Sequence, residues 1–470
     1  MPAVGIVGIG PMGANLARNF VRRGYHVVAY NRSVGRVAEL AAKLPGHVTA
    51  AESYRDLAAT LPRPRKVVVL VDTRATGAVL GDLARWLEPG DVVMEGGNAS
   101  HTDTVGRQRE LRSAGLHLLD VGVASGVDGA LDGISATVGG DEAAFASVAA
   151  DLAAVGTTVN GRSCCVRVGG DGTGHFVKMV HNGVEYTFMQ LLAELVDVLR
   201  AATDLPPSAL GEAFDRWNAE DFRSYVLQVA VDVLRHVDTV TGLPFVDVVD
   251  DRAVQNGSGS RAGRSALALA TPATLFAESS FARALSADTG MRQAWGIRTA
   301  SSPGGIDLLP AGKSAFQAAL LVTYAQAFRH IHAANHEYGW NADLTEVAHS
   351  WCGATIRSAP LHRIASSAPD SGMSLLPADP EVRAELTAAE PGLRRVVEVA
   401  VATGVATPCL SAALAYLDGM RADRSSGAVV QALRSRLGGS VYRRTDRDGA
   451  FVLDWDTKAE RLAGLQHFTQ

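Results

Sequence analysis

The chain has 470 residues, of which 47% are hydrophobic and 20% are charged, and its formal net charge is −5. This length and composition predict a globular enzyme of two or three domains. The sequence has no concentrated block of Lys and Arg, which argues against a nucleic-acid-binding protein.

The first predicted element is a buried strand over residues 3–9, which runs directly into the loop Gly8-Ile9-Gly10-Pro11-Met12-Gly13. An amphipathic helix follows, and then a second strand over residues 26–30. A strand, a glycine loop, a helix and a strand within about 30 residues are typical of a dinucleotide-binding fold, in which the glycines let the backbone approach a pyrophosphate. The sequence therefore predicts a Rossmann-like α/β domain. Its predicted cofactor contacts in this loop are Gly8, Gly10, Met12 and Gly13.

The end of the second strand bears on the choice between NAD and NADP. An NAD site usually has Asp or Glu there, which accepts hydrogen bonds from the ribose hydroxyls. This chain instead has Asn31-Arg32-Ser33, and an arginine beside a hydroxyl suits a 2′-phosphate. The alternative for Arg32 is an ordinary solvated loop residue. We predict NADP as the cofactor.

Three further strands are predicted, over residues 66–71, 91–95 and 116–120. The first ends at Val71, and the second leads into Glu95-Gly-Gly-Asn98. Ligands of open α/β sheets bind at the carboxyl ends of strands, so Val71 and Asn98 are predicted cofactor contacts. The third strand opens the glycine-rich segment 122–129. We expect the nucleotide-binding domain to end near residue 170.

The next predicted element is a long helix that carries several reactive groups. At 100° per residue, His181, Asn182 and Glu185 fall within about 60° of Lys178. This face lies beside an apolar stripe formed by Val177, Val180, Val184, Phe188, Leu191 and Leu195. A surface helix with an ordinary Lys/Glu pair is the alternative. An amine, an imidazole, an amide and a carboxylate on one arc, directly after a cofactor domain, favour an active site.

These motifs resemble those of the 6-phosphogluconate dehydrogenases, members of the 3-hydroxyacid dehydrogenase superfamily. The resemblance begins with Lys178 to Tyr186, Glu95 to Asn98 and the NADP loop, and it covers nearly the whole chain. It continues through Gln255 to Gly259, Phe281 to Arg283, Tyr324-Ala-Gln, Gly339-Trp-Asn341, Ile356-Arg-Ser358 and Arg434 to Tyr442.

The resemblance implies an NADP-dependent oxidative decarboxylation of 6-phosphogluconate to ribulose 5-phosphate and CO2. Lys178 is the implied general base and acid, and Glu185 the implied proton donor. The implied substrate-binding residues are Asn98, Ser125, Gly126, His181, Asn182, Tyr186, Ser258, Arg283 and Arg434. The family also implies an all-helical catalytic and dimerisation domain over residues 171–426. An extended tail over residues 427–470 would cross to the partner of an obligate homodimer.

Three positions depart from the family pattern. Ala124 replaces a serine, Asn256 a lysine that binds phosphate, and Ser440 a histidine of the tail. Each lost charge-assisted contact is worth about 1.5–3 kcal/mol, unless Arg261 or Arg264 compensates. One alternative is therefore a paralogue that applies the same chemistry to another sugar acid or phosphorylated β-hydroxy acid. Another is a non-catalytic NADP-binding protein.

The remaining features concern the compartment and metals. The four cysteines, at positions 164, 165, 352 and 409, lack zinc-site spacing, so reduced thiols are the simpler interpretation. No signal peptide or membrane-spanning stretch is predicted, and we expect a cytoplasmic protein. His332 and His336 lie one helical turn apart without a third ligand, so no metal site is predicted.

Overall fold

The computed structural model describes residues 1–255, 257–295, 307–367 and 370–463. Asn256, one of the three departures from the family pattern, lies outside the described residues. By contacts between residues, the chain divides into two compact units, Met1–Leu414 and Ala415–Gln470.

The first unit begins with an α/β domain that contains ten strands. They are β1 (Ala3–Val7), β2 (His26–Tyr30), β3 (Val48–Ala50), β4 (Lys66–Val69), β5 (Val92–Glu95), β6 (His117–Val123), β7 (Ala136–Gly139), β8 (Thr158–Val159), β9 (Arg162–Ser163) and β10 (Cys165–Gly169).

Eight of these strands form one sheet in the order β10-β7-β6-β5-β4-β1-β2-β3, and all neighbours are parallel except β6 and β7. The strand order changes direction between β1 and β4, where an open α/β sheet has its ligand crevice. Strand β4 ends at Val69, before the predicted Val71, and β6 continues beyond the predicted residue 120 to Val123, because its last residues pair with β7.

Seven helices cover the sheet. They are α1 (Pro11–Arg22), α2 (Val34–Lys43), α3 (Tyr54–Thr60), α4 (Thr73–Ala84), α5 (His101–Ser113), α6 (Gly126–Asp132) and α7 (Glu142–Val155). Two buried apolar layers result, one containing Phe20 and Leu152 and the other containing Leu57 and Leu83. Apolar side chains from both faces of the strands are thus removed from water, as expected for a mostly parallel sheet. The predicted Rossmann-like fold is confirmed.

The rest of the chain as far as residue 421 is mainly helical. Its α-helices are α8 (Thr173–Thr203), α9 (Pro207–Trp217), α10 (Tyr225–Arg235), α11 (Ser258–Ala268), α12 (Thr274–Ala287), α13 (Thr289–Trp295), α14 (Leu309–Tyr338), α15 (Leu344–Trp351), α16 (Ala359–Ser367), α17 (Asp370–Met373), α18 (Pro380–Thr403) and α19 (Pro408–Arg421). Helix α8 packs against α11, α12 and α14 and against the sheet. All six residues of its predicted apolar stripe are fully buried. Among the described helices, none is long and apolar enough to span a membrane.

The second unit corrects the extended tail that the resemblance implies over residues 427–470, since the first part of that tail is helical. Residues Gly427–Gly438 form helix α20, because Ala428 to Leu437 contains good helix formers and ends at Gly439, whose φ is +63°. A three-stranded antiparallel sheet follows, made of β11 (Tyr442–Arg443), β12 (Ala450–Leu453) and β13 (Glu460–Leu462).

Candidate active site

Helix α8 starts against the carboxyl end of the sheet. The Asp120 carboxylate accepts hydrogen bonds from the backbone N–H groups of Gly172, at 3.1 Å, and of His175, at 2.7 Å. A carboxylate at a helix N-terminus stabilises the helix electrostatically. Gly122 lets α8 approach β6 closely, since a Cβ there would lie 2.5 Å from the Cβ of Lys178. These contacts fix Lys178 at the edge of the sheet where cofactors bind.

Lys178, His181 and Glu185 lie together on α8, as the helical periodicity predicts. The Lys178 Nζ is 3.3 Å from His181 Nδ1, and this Nδ1 is 3.8 Å from a carboxylate oxygen of Glu185. Burial lowers the pKa of Lys178 to about 8, although the negative charge of Glu185 acts in the opposite direction. An appreciable fraction of the lysine is therefore neutral near pH 8, so it can act as a general base.

A loop far along the chain completes this group. Thr355 Oγ1 lies 3.4 Å from Nε2 of His181, and the Thr355 backbone N–H donates to the carbonyl of Ala124. The hydroxyl of Tyr324 donates to the carbonyl of Ile356 at 2.7 Å and holds the loop. Thr355 is not among the site residues predicted from the sequence. Its distance along the chain left no local signal beyond its neighbour Ile356, which belongs to the family pattern.

A cavity of about 630 Å³ joins the cofactor edge of the sheet to α8. Nine residues predicted from the sequence line it: Met12, Val71, Asn98, Gly126, Lys178, Asn182, Glu185, Tyr186 and Ser258. Arg261 and Thr355 line it as well. The volume is within the usual range for a small-molecule site, and the lysine and the carboxylate face the same space.

Other predicted substrate residues lie outside the lining of this cavity. His181 lies behind the lining and is fully buried. The Ser125 Oγ accepts a hydrogen bond from the backbone N–H of Ser135. The Arg283 guanidinium stacks on the ring of Tyr186, 3.7 Å from its centre. Arg434 belongs to the second unit, where it donates to Gln431.

The glycine loop has the geometry that a bound dinucleotide requires. Gly8 has a φ of +101°, and a Cβ on Gly13 would lie 1.9 Å from the carbonyl oxygen of Gly8. A Cβ on Gly10 would meet nothing within 4 Å, so this glycine faces open space at the start of α1. No side chain caps the helix there. The first-turn N–H groups are therefore available to a pyrophosphate.

The end of β2 also suits a phosphate. The backbone N–H of Ile9 donates to the side-chain oxygen of Asn31 at 3.0 Å, and the Asn31 amide donates to the Ser33 carbonyl. Asn31 thus ties the glycine loop to this turn. Arg32 is exposed beside it and forms no ion pair with any carboxylate of the described residues. A cation without a carboxylate neighbour fits a 2′-phosphate.

The four cysteines and the pair His332 and His336 lie outside the lining of this cavity. All four cysteines are free and buried, and burial raises the pKa of Cys165 to about 12. His332 and His336 lie 3.2 Å apart between ring nitrogens. Within the described ranges, no cluster of three His, Cys, Asp or Glu side chains is placed to hold a metal ion.

Two protein-family models match the chain. The "NAD binding domain of 6-phosphogluconate dehydrogenase" matches residues 3–170. The "6-phosphogluconate dehydrogenase, C-terminal domain" matches residues 174–455.

Comparisons with individual proteins agree with these models. The NAD(+)-dependent decarboxylating 6-phosphogluconate dehydrogenase of Bacillus subtilis (strain 168) is 35% identical over 463 residues, which cover 96% of this chain and 99% of that protein. The NADP(+)-dependent decarboxylating enzyme of the same organism is also 35% identical, over 464 residues and 98% of its length. A structure of Plasmodium falciparum 6-phosphogluconate dehydrogenase, described in its apo form and with NADP+ and 6-phosphogluconate, superposes with a TM-score of 0.92 at 27% identity. It covers 96% of this chain and 100% of that one.

Proposed function

The chain belongs to the 6-phosphogluconate dehydrogenase family, and we propose that it catalyses the NADP-dependent oxidative decarboxylation of 6-phosphogluconate to ribulose 5-phosphate and CO2. The observation that carries this proposal is the shared cavity, in which Lys178 and Glu185 face the cofactor edge of the sheet. NADP, which the glycine loop and Asn31-Arg32-Ser33 would hold, would supply the acceptor for the hydride that leaves C3 of the substrate.

Lys178 acts first as the general base. Its neutral amine takes the proton of the C3 hydroxyl while hydride leaves C3, which gives a 3-keto acid. The bond between C1 and C2 then breaks, CO2 leaves, and the electron pair moves through C2 to the oxygen on C3. The protonated lysine returns its proton to that oxygen, so the product of this step is a neutral enediol. Burial of the amine supports this role because it lowers the lysine pKa to about 8.

Glu185 donates the last proton. The carboxylic acid protonates C2 of the enediol while Lys178 removes the proton from the C3 oxygen, which forms the ketone of ribulose 5-phosphate. The lysine then carries the proton that the carboxylic acid has lost. The pair must exchange that proton before the next turnover. Their common helical face and the position of His181 between them support this exchange.

The remaining predicted residues bind and orient the substrate. We assign the sugar hydroxyls and the carboxylate to Asn98, Gly126 and Asn182, which line the cavity. His181 supports Lys178 from behind. Tyr186, Ser258 and Arg283 belong to the phosphate end, where the arginine stacks on the tyrosine. Ser125 stays a prediction, and its oxygen already accepts one hydrogen bond from the backbone.

We further propose a cytoplasmic homodimer in which residues 427–470 reach the partner subunit and contribute Arg434. On α20 the side chains of Val429, Leu433 and Leu437, spaced by four residues, are 63%, 55% and 86% exposed. Such an apolar stripe favours burial against another surface.

We propose that residues 1–170 form the cofactor-binding domain and residues 171–426 the domain for catalysis and dimerisation. Analytical ultracentrifugation of the full chain, and of a chain ending at residue 426, tests the role of the tail.

A second candidate is the same chemistry on another sugar acid. Ala124, which replaces a serine of the family, is almost fully buried, and its carbonyl accepts the backbone N–H of Thr355. It therefore supplies no hydroxyl to a substrate carboxylate. Near-normal turnover of 6-phosphogluconate, measured against a panel of other sugar acids, would reject this candidate.

The decisive assay follows NADPH absorbance and CO2 release from 6-phosphogluconate with the purified full chain. We expect both products in equal amounts. Lys178→Met should lower the turnover rate by about 10²–10⁴-fold, the usual contribution of a general base. Lys43→Met is the matched control, because Lys43 is 58% exposed on α2. An unchanged rate in Lys178→Met would contradict the assignment of the base, and no product from the unaltered chain would contradict the proposed reaction.

A further inference from the structure

Arg261 occupies a position in the candidate active site that the predicted set of ligands does not include. It lies on the first turn of α11 and lines the same cavity as Lys178 and Tyr186. One guanidinium nitrogen, Nη1, donates to the carbonyl of Asn98 at 2.9 Å. This bond ties the guanidinium to the loop that follows β5. It uses only one of the five N–H donors of an arginine.

Among the described residues, no carboxylate neutralises the positive charge of Arg261. It forms no ion pair with a carboxylate among the described residues, and its other hydrogen bond is a long contact to the carbonyl of Gly257. Burial lowers its pKa, and Arg264 adds to this effect while Asp103 and Tyr186 oppose it. Arginine stays protonated despite such shifts. A half-buried cation that faces a ligand cavity favours an anionic ligand.

The packing of α11 places this cation beside the predicted phosphate end. A Cβ on Gly259 would lie 2.3 Å from the ring of Tyr186, so the start of α11 rests directly on that ring. Ser258 and Arg261 therefore lie next to Tyr186, and the guanidinium of Arg283 stacks on the ring as well. Arg261 and the Ser258 hydroxyl in the cavity, with a second arginine stacked on the adjoining Tyr186 ring, form a typical setting for a phosphate.

We propose that Arg261 binds the phosphate of the substrate and thereby determines specificity for a phosphorylated sugar acid. The inference rests on the proposed function, since it assigns one end of that substrate. It also explains how the site retains a cation on α11 although position 256 has asparagine in place of the family's lysine. Arg264 does not share this role, because it is exposed and absent from the cavity lining.

The test compares Arg261→Gln with Arg264→Gln, a substitution of the same kind one turn further along the same helix. We expect Arg261→Gln to raise the KM for 6-phosphogluconate about ten- to a hundredfold, the usual loss for one charge-assisted contact. It should raise the inhibition constant of inorganic phosphate by a similar factor and leave the Kd for NADP unchanged. Arg261→Lys should recover part of the loss, and Arg264→Gln should behave like the unaltered chain.

Two results would overturn the assignment while leaving the proposed reaction intact. In the first, Arg261→Gln turns over 6-phosphogluconate with an unchanged KM. In the second, the Kd for NADP rises and phosphate inhibition does not change, which would assign Arg261 to the cofactor. A chain that forms no NADPH from 6-phosphogluconate would instead contradict the proposed function. Calorimetric titration of the unaltered chain and of Arg261→Gln with inorganic phosphate would then decide the role of Arg261. Equal affinities for phosphate would reject the proposal that Arg261 binds it.

Discussion

The amine of Lys178 and the imidazole of His181 lie 3.3 Å apart, measured from Nζ to Nδ1. Burial lowers the pKa of His181 well below 6.5, and the lysine charge adds to this effect. A neutral imidazole can accept a hydrogen bond from the lysine amine at Nδ1. It then carries its own proton on Nε2, which faces Thr355 Oγ1. His181 therefore orients the amine without adding a second positive charge to the site.

The pH dependence of kcat/KM should show the titration of Lys178. The pKa of this amine is lowered from 10.5 to about 8, and only the neutral form is a base. We expect kcat/KM to rise with pH, by up to about tenfold per unit below pH 8, and to level off above it. Initial rates from pH 6 to pH 10 measure the profile. A flat profile across this range would contradict a lysine base.

The charge of Glu185 provides a check on the same pKa. Because this carboxylate raises the pKa of Lys178, Glu185→Gln should move the titration of the amine to lower pH. Catalysis by this variant is expected to be weak, so the measurement is the rate at which acetic anhydride labels Lys178 as a function of pH, followed by mass spectrometry. A shift to higher pH would contradict the stated effect of the Glu185 carboxylate on the lysine pKa.

Lys178→Met should stabilise the folded chain at neutral pH. At pH 7 the Lys178 amine is protonated in both the folded and the unfolded chain. Burial of this charge, which lowers the lysine pKa, therefore reduces the free energy of unfolding. After a discount for water in the cavity, this cost is about 2 kcal/mol. The gain should fall to about half by pH 9.5, since the cost is lost as pH rises from the folded pKa towards the unfolded one. Urea unfolding at both pH values measures it, and Lys43→Met should show no such gain.

The sequence predicted those parts of the fold that depend on interactions between residues close together in the chain. The glycine loop, strand β2 and the two faces of α8 follow from short-range periodicity and backbone sterics, and the structure places them as expected. The helical periodicity cannot predict which residues distant in sequence line the cavity. Thr355 lies 177 residues beyond Lys178, and only the tertiary fold brings it to His181.

Two further results depended on information outside the local sequence. Arg261 and Arg264 are one turn apart on α11, and the sequence could not decide which of them faces the cavity, because α11 has small residues on several sides. Helix α20 was missed because its apolar side chains are exposed rather than packed in a core. Prediction of a helix from apolar periodicity assumes that one face packs against a core, so it is less effective for a helix with an exposed apolar face.

Arg32 should determine the choice between the two nicotinamide cofactors. Arg32→Ala removes the cation at the end of β2, so we expect the KM for NADP to rise about ten- to a hundredfold. The KM for NAD should change little, because NAD has no 2′-phosphate. Arg36→Ala is the control, since Arg36 is another exposed arginine near the start of α2. Equal effects on both cofactors would place the 2′-phosphate elsewhere.

Three glycine-to-alanine substitutions separate folding from cofactor binding. Gly13→Ala places a Cβ 1.9 Å from a backbone oxygen, so the loop must move, and we expect a loss of about 1–3 kcal/mol in the free energy of unfolding. Gly10→Ala meets open space and should fold normally, yet bind NADP more weakly, because its methyl group projects towards the pyrophosphate. Gly81→Ala, in the exposed middle of α4, should stabilise the chain by up to about 1 kcal/mol.

Urea unfolding and the quenching of tryptophan fluorescence by NADP measure the two properties independently. If Gly10→Ala kept the full affinity for NADP, the pyrophosphate would not approach the loop at this residue. If Gly13→Ala were as stable as the unaltered chain, the close contact between Gly13 and Gly8 would not be needed for folding. The expected pattern, one variant defective in stability and the other in affinity, follows only if the loop both closes on itself and faces the cofactor.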